Sequence, residues 1–566
     1  MDVISGLVEQ LAVAAGCDVS ADDILESPIA DYGSPIAFRL GTESARNPLE
    51  IASEIAAKIP LGGLVCRVEA VKGYVNFYLD RSAYSRAFID DALSGKDFGG
   101  GSRSGNVLLE HTSVNPTGPV HVGRLRNTII GDSLRRILSF AGYDVETHFY
   151  VNDIGKQIAI ISLGRDEVGA SEAILSEYPD YSGRKDYEMF AVYVPSFELF
   201  ESDPGFRERV QELIKDAESG DKAALDRITG SAKDCLDGQL VMYGQLGVKF
   251  DSFDYESESV KDGSVFDVIG KAKSSELWRT EDFGGGLDLS GFGIEKKSGL
   301  SVLVRADGTT VYLARDLAYH LKKAGMIQGG GRIINVLGED HKLEFAELKA
   351  ILGNVLGFDT PLEAVHYSFV NFEGDKFSTR RGNIASVDQL MATAYDKAAK
   401  EVAARKMADE SIAELIGTGA VKFHIIKTHP NKQITFRWDD ALDFDGESGP
   451  YIQYAHARSR RILEKAGAFG SGDYAPEPEN DEEWALIRML SAFPEQIERA
   501  ADGLRPDIIA TYLIKLTQDY GRFYMRCNVL DSDDPVRVRR LIIVSLTRDV
   551  LARGLDLLGI GAPERM

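Results

Sequence analysis

Across 566 residues there are only four cysteines, Cys17, Cys66, Cys235 and Cys527, and no two form a CxxC pair. That scarcity excludes a disulfide-stapled secreted scaffold and a clustered thiolate zinc site; it points to reduced, structural thiols. Long apolar runs are missing too: no segment approaches the roughly 18 uninterrupted apolar residues of a membrane span. No Lys or Arg precedes Arg39, so the chain shows neither the basic region of a secretory signal nor the Arg-rich face of a transit peptide. The expectation is a cytoplasmic protein without a membrane segment. Positive charge is short overall, with 64 basic residues against 88 acidic ones and a net charge of -24. Such a field repels polyanions, so any nucleic-acid contact has to come from locally clustered cations. An acidic surface kept hydrated in a salty cytoplasm is another source of such an excess.

What is present is an ordinary globular composition, 44% hydrophobic and 27% charged. The length suggests about three or four domains. A Gly/Ser-rich connector, "SGKDFGGGSRSGN" (94–106), closes a first domain of residues 1–102, in which "NPLEIASEIAAKI" reads as an amphipathic helix and "VKGYVNFYLD" as a strand. From 106 the pattern is a buried strand "NVLLEH", a loop at 114–120, a helix over 121–140 with Gly142 as its C-cap, and a second strand "DVETHFYVND". Strand, crossover helix and strand make a βαβ unit of a parallel sheet. Residues 156–300 read as a helical insertion with a Gly-rich turn, "FGGGLDLSGFG". Strand signals resume at "SVLVRADGTTVYLARD", "RIINVLGED" and "AVHYSFVNFE", which are expected to complete the sheet. The catalytic domain would then span 103–405, and 406–566 would be all-helical, interrupted by the linker "GSGDYAPEPENDEE". The fold class is α/β, a Rossmann-type parallel-sheet domain between an α+β amino-terminal domain and an all-α carboxy-terminal one.

The usual phosphate loops are absent, since neither GxGxxG nor GxxxxGK[ST] occurs. In their place, "VNPTGPVHVGRLRNT" (114–128) puts His121 and Arg124 on one face of a helix's first turn, where unpaired N–H groups and a partial positive charge suit phosphate. Gly118 and Gly123 would let a bulky ligand approach the backbone. Taken alone, the stretch also reads as an ordinary strand-to-helix loop with a capping histidine. "GDKFSTRRGN" (374–383) carries Lys376, Arg380 and Arg381 after a strand, and alone it reads equally as a solvated charge run.

Together the two loops carry a resemblance. "HVGR" resembles the HIGH motif and "KFSTR" the KMSKS loop of class I aminoacyl-tRNA synthetases. "EHTSVNPTGPVHVGRLRNTIIGDSLRRILSFAGYDVETHFYVNDIGKQ" is similar to the catalytic core of the arginyl-tRNA synthetase family. "KGYVNF", "TVYLARDLAYHL", "VLGEDHKLEF", "GESGPYIQYAHARSRRIL" and "LLGIGAPERM" extend the resemblance over most of the chain. Two positions depart from the family pattern: Arg124 stands where HIGH has its second histidine, and Thr379 where KMSKS has its second lysine.

The resemblance implies an arginine-tRNA ligase. Arginine would be activated with ATP, supplied as a Mg2+ complex, and transferred to the 3'-terminal adenosine of tRNA(Arg), with tRNA needed for the first step. The partners expected are tRNA(Arg), L-arginine and ATP; neither zinc nor an organic cofactor is expected, and the chain is expected to be monomeric. By carry-over, His121, Arg124, Lys376 and Arg380 serve the phosphates. Gly118, Gly123, Gly338, Asp340 and Ser378 join His121 in holding ATP. Glu110 and Asp316 supply the carboxylates that a buried guanidinium requires; Tyr312 packs on it and Asn115 holds the α-substituents. Residue by residue, Glu110 also reads as a strand-end charge, Asp316 as a helix cap and Tyr312 as core. For tRNA, the resemblance points to Tyr74 and Asn76 in the amino-terminal domain, and to Tyr451, Tyr454, Arg458 and Tyr524 in the helical end. A rival with no need of Asp316 is a short nucleotidyltransferase; a second is a synthetase-like tRNA-binding protein with impaired catalysis.

Overall fold

The computed structural model describes residues 3–95, 97–327, 330–372, 385–407, 411–470 and 472–566. They divide into two compact units. One comprises Gly100–Ala457, Glu495–Ile514 and Leu551–Met566; the other comprises Met1–Gly99, Arg458–Pro494 and Lys515–Val550.

The first unit is built on five parallel strands, β1 (Asn106–Glu110), β2 (Asp144–Val151), β3 (Ser252–Tyr255), β4 (Arg332–Gly338) and β5 (Leu362–Tyr367), in the spatial order β5-β4-β1-β2-β3. Strand order reverses between β1 and β4, whose register runs from Arg332 opposite Val107 to Asn335 opposite Glu110. The crevice beyond the carboxyl ends of strands at such a reversal is where open α/β sheets bind ligands. Helix α1 (Leu125–Phe140) crosses from β1 to β2; its buried Ile129, Ile130, Leu134, Ile137 and Leu138 face the core. Gly142 ends the turn after it at φ +107°, and an added Cβ would lie 2.4 Å from the Arg103 carbonyl, so no other residue fits there.

Two expectations need correction. Residues 156–300 are not solely a helical insertion: after the helices Lys156–Glu167, Lys185–Ser202, Pro204–Glu218 and Lys222–Gln245 the chain returns as β3, paired parallel with β2. Conversely, the strand Ser301–Arg305 does not join the parallel sheet. It forms a separate antiparallel sheet with Gly284–Leu287 and Trp278–Glu281. The glycines at 284–286 read as a turn form its middle strand, where Trp278 and the neighbouring backbone approach within 2.3 Å of where Cβ atoms would be.

After β5, the short strand Val370–Phe372 pairs with Ile434–Phe436. Arg126, on the first turn of α1 and wholly buried, fastens this region. Its guanidinium donates to the carbonyls of Ser368 at 2.5 Å, Lys432 at 2.8 Å, His429 at 3.0 Å and Thr428 at 3.3 Å. With carbonyls rather than carboxylates around it, burial pulls its pKa down to about 10.

In the second unit an antiparallel sheet runs in the order Leu25–Glu26, Tyr32–Ser34, Tyr74–Leu79, Val65–Val71. The helices Pro48–Lys58, capped by Asn47, and Arg81–Ser94, capped by Asp80, belong to the same unit. Asp31 accepts from the Trp484 indole at 2.9 Å, and Glu483 is buried between Arg539 and Arg540. All four cysteines are free thiols, and no helix among the described residues is long and apolar enough to cross a membrane.

Among the described residues the four carbonyls around Arg126 have no other charged donor, so Arg126→Met should lower the unfolding free energy by about 3 kcal/mol, given about 1–3 kcal/mol per stranded buried polar group. A urea melt superimposable on that of the native chain would refute this account.

Candidate active site

At the start of α1 the chain forms a single 3-10 turn, Val122–Arg124, capped by His121. The Gly123 N–H donates to His121 Nδ1 at 3.0 Å, which fixes the ring's proton on Nε2. That Nε2 is buried and has no partner among the described residues. Burial, and then the nearby Arg124, lower the His121 pKa, so the ring is a neutral donor held open beside a helix amino terminus. Gly123 is dictated locally, because a Cβ there would sit 3.0 Å from His121 Nδ1. Arg124 is exposed and reaches the Tyr367 hydroxyl at the end of β5. The turn is framed by the chain that follows residue 384: Val122 N–H donates to the Ala385 carbonyl at 2.9 Å, and Val387 N–H to that of Val120 at 2.8 Å.

A second group of side chains surrounds the end of β1. Glu110 is 7% exposed and is paired with Lys323, which is wholly buried on the helix α2 (Tyr312–Met326). Lys323 also donates to Asn335 Oδ1 at 3.2 Å; Asn335 Nδ2 donates to His320 Nε2 at 2.8 Å; and His320 Nδ1 donates to the Asp316 backbone carbonyl at 2.9 Å, with Asp316 Oδ1 3.0 Å away. Every donor in this chain points the same way, from Lys323 to Asp316. Glu110 and Asp316, far apart in sequence, are thus joined by one buried polar network. Glu110 already holds a cation, whereas Asp316 is partly exposed and, among the described residues, has no Lys or Arg paired with it. Tyr312, 43% exposed, lies one turn before Asp316, with its ring edge-on to Tyr150 at 6.4 Å. Tyr150 stacks on Tyr319 at 4.4 Å, and the Tyr319 hydroxyl donates to Asp254 at 2.6 Å. Burial favours the protonated form of Asp254, but hydrogen bonds from His148 and Tyr319 outweigh it and hold the carboxyl at about 2. Glu256 behaves oppositely: wholly buried, it rises to about 7 although Arg315 binds it at 2.5 Å.

The other expected positions divide. Asn115 is exposed, its Nδ2 donating to Gln157 Oε1 at 3.2 Å, which leaves Oδ1 as the acceptor on offer. Gly118 is buried against Phe190, 3.0 Å from where a Cβ would lie, and its carbonyl accepts from Gln239 at 2.7 Å. Its smallness serves packing against Phe190. Gly338 ends β4, where an added Cβ would meet Asp340 Oδ1 at 2.3 Å, and Asp340 itself is exposed. Lys376, Ser378 and Arg380 lie outside the described residues. Among the described residues no group of His, Cys, Asp and Glu is arranged to hold a metal ion. Lys323, His320 and Asn335 were not singled out from the sequence. Lys323 follows Lys322 on an amphipathic helix and looks like one of two solvated cations.

Comparison with known proteins adds a decisive observation. A family model described as the class I (R) tRNA synthetase catalytic domain matches residues 90–438, the arginyl-tRNA synthetase amino-terminal domain model matches 15–79, and the DALR anticodon-binding domain model matches 452–566. The chain belongs to the arginyl-tRNA synthetase family. It is 39% identical to the arginine–tRNA ligase of Methanocella arvoryzae, covering 99% of this chain and 98% of the relative, and 38% identical to that of Methanocaldococcus jannaschii over the full length of both. The solved Thermus thermophilus arginyl-tRNA synthetase superposes with a TM-score of 0.81 at 29% identity, covering all of both chains.

The positions tied to tRNA by likeness to arginyl-tRNA synthetases also divide. Tyr74 is exposed, edge-on to Phe38 at 5.1 Å. Asn76 departs from expectation. It is 2% exposed, its Oδ1 accepts from Ser27 at 3.0 Å, and a Cβ on Gly33 would crowd it at 3.2 Å. Its amide is used inside the sheet, so it does not stand on the surface beside Tyr74. Tyr451 and Tyr454 are half-buried on the helix Gly449–Ala466. Arg458 lies over the Tyr524 ring at 4.7 Å, and Tyr524 is exposed.

Because Glu110 is buried against Lys323, Lys323→Met should destabilise the fold by about 3–5 kcal/mol, the usual result of stranding one member of a buried ion pair. The Lys323→Met, Glu110→Leu double variant should recover most of that loss in a denaturant melt; an equal or larger loss in the double variant would refute the pairing.

Proposed function

We propose that this arginyl-tRNA synthetase family member is an arginine-tRNA ligase that selects the guanidinium with Asp316 and Glu110 and stabilises the reacting phosphates from the start of α1. The observation that supports this most is the aligned network from Lys323 through Asn335 and His320 to Asp316. It keeps Glu110 neutralised and leaves Asp316 as a carboxylate with an accessible oxygen beside an exposed tyrosine ring. A guanidinium entering against Tyr312 and Asp316 gains both a π face and a charged acceptor.

In the first step a carboxylate oxygen of arginine attacks the α-phosphorus of ATP, which enters as its Mg2+ complex. The bond from that phosphorus to the bridging oxygen breaks, and pyrophosphate leaves with the electron pair. In the second, a ribose hydroxyl of the terminal adenosine attacks the arginyl carbonyl; the mixed anhydride opens, AMP leaves, and the hydroxyl proton passes to phosphate or solvent. Neither step needs a protein nucleophile, so catalysis is positioning and neutralisation of developing charge. His121 suits this role as a neutral Nε2–H donor. Being neutral, it adds no positive charge that would bind ATP in the ground state as strongly as the transition state. Arg124, Lys376 and Arg380 supply the cations, with Gly338 and Asp340 at the ribose. The exposed Tyr74 and the Arg458–Tyr524 pair offer stacking faces for unpaired bases of tRNA.

Arginine-dependent ATP–pyrophosphate exchange tests the reading. Exchange is expected only when tRNA(Arg) is present, followed by charging with arginine and not with lysine. Absence of exchange with tRNA present and bound would instead favour a catalytically impaired binding protein. Asp316→Asn should raise the KM for arginine by tens of fold, as loss of a charged acceptor is worth about 1.5–3 kcal/mol, while the Kd for tRNA stays within about twofold. An unchanged arginine KM would remove Asp316 from the site.

A further inference from the structure

Directly after Glu110 the backbone enters an unfavourable conformation. Thr112 and Ser113 have φ values of +71° and +43°, and among the described non-glycine residues with positive φ, Thr112 alone is β-branched. A branched Cβ is poorly tolerated there, and such outliers persist only where the surroundings enforce them. The enforcing group is Asn127, on the first turn of α1. Its Oδ1 accepts from Thr112 N–H at 2.7 Å, and its Nδ2 donates to the Val336 carbonyl at 2.8 Å. The β1–β4 ladder ends with Asn335 opposite Glu110, so this side-chain amide stands where the ladder runs out. The turn places Ser113 Oγ where it donates to Glu110 Oε1 at 3.2 Å and accepts from Tyr150 N–H at 3.0 Å.

We propose that Asn127 is a positioning residue for the amino-acid site: it locks the strained Thr112–Ser113 turn and thereby fixes the Glu110 carboxylate. The inference rests on the reading of Glu110 as an arginine acceptor. It also means that one helix start sets both halves of the site, with His121 toward phosphate and Asn127, six residues later, toward the guanidinium.

The test is steady-state exchange with tRNA present, reading KM for arginine and for ATP separately. Asn127→Ala is expected to raise the arginine KM about tenfold and the ATP KM less than about twofold. In that background Thr112→Gly, which removes the steric penalty at positive φ, should recover most of the loss. Thr112→Ala, which removes the same hydroxyl but keeps Cβ, should recover none. Equal rises in both KM values, or no difference between the glycine and alanine doubles, would overturn the proposal. Should Asn127→Ala not fold, Asn127→Asp keeps the acceptor for Thr112 N–H and loses the donor to Val336. A lower melting temperature with a near-native arginine KM supports the proposal, and a tenfold rise in that KM overturns it. Glu110→Gln separates the two levels: no change in its arginine KM sinks the underlying reading, whereas a rise there without one in Asn127→Ala sinks this inference alone.

Discussion

A carboxylate buried at the end of a parallel strand must be matched with a cation, and the amino-acid site is organised by how Glu110 is matched. Lys323, from the next helix over, takes that role and is itself wholly enclosed. Left without it, Glu110 would be a desolvated charge in the middle of the sheet edge. Lys323 also starts a line of hydrogen bonds through Asn335 and His320 that ends at the Asp316 backbone carbonyl, with the Asp316 carboxylate beside it. A resident cation thus neutralises one acid, and on the proposed reading an arriving guanidinium would meet Asp316 as the second.

The phosphate half of the site follows the opposite logic. Its fixed donors are a neutral imidazole and an exposed arginine at a helix start. The Gly123 N–H bond to His121 Nδ1 sets the tautomer, while burial and Arg124 keep the ring from acquiring a second proton. A permanently charged His121 beside Arg124 would hold triphosphate well and gain little more as charge moves toward pyrophosphate, whereas a neutral donor adds its interaction as oxygen charge grows. The two halves meet at the strand-order reversal between β1 and β4, where residues from both sides of the sheet converge without long loops.

Much of this was legible in sequence because it depends on local geometry. The strand–loop–helix–strand run from 106 to 151, the phosphate-suited helix start and the Gly142 stop are each fixed by residues near in sequence, and the structure contains all of them. The fold read less clearly where pairing is remote. The strand Ser252–Tyr255 is four residues long and arrives after a long helical excursion, so nothing local links it to β2. Ser301–Arg305 has the alternation of a sheet strand but finds its partner in a glycine-rich stretch. In the site, Asp316 and Tyr312 were reached through the family resemblance, yet Lys323 was not distinguishable from its neighbour Lys322, since helical periodicity does not reveal a carboxylate on another strand. The burial of Asn76 was hidden for a related reason: nothing local in its strand shows that Ser27 and Gly33, remote in sequence, enclose it.

The acidic excess constrains how such a protein can meet RNA. With a net charge of -24, a polyanion gains nothing from the average field, and on the proposed reading the Arg458–Tyr524 pair is a local exception offered to tRNA. Stacking is insensitive to net charge and to salt in a way that phosphate contact is not. Interleaving aromatic rings with a few arginines lets an acidic body hold a polyanion through its unpaired bases while repelling duplexes that offer none. On the proposed reading, phosphate settles at the sheet edge, where Arg124 and the unpartnered His121 Nε2 stand. Selectivity for where anions settle thus comes from the scarcity of positive charge as much as from its placement.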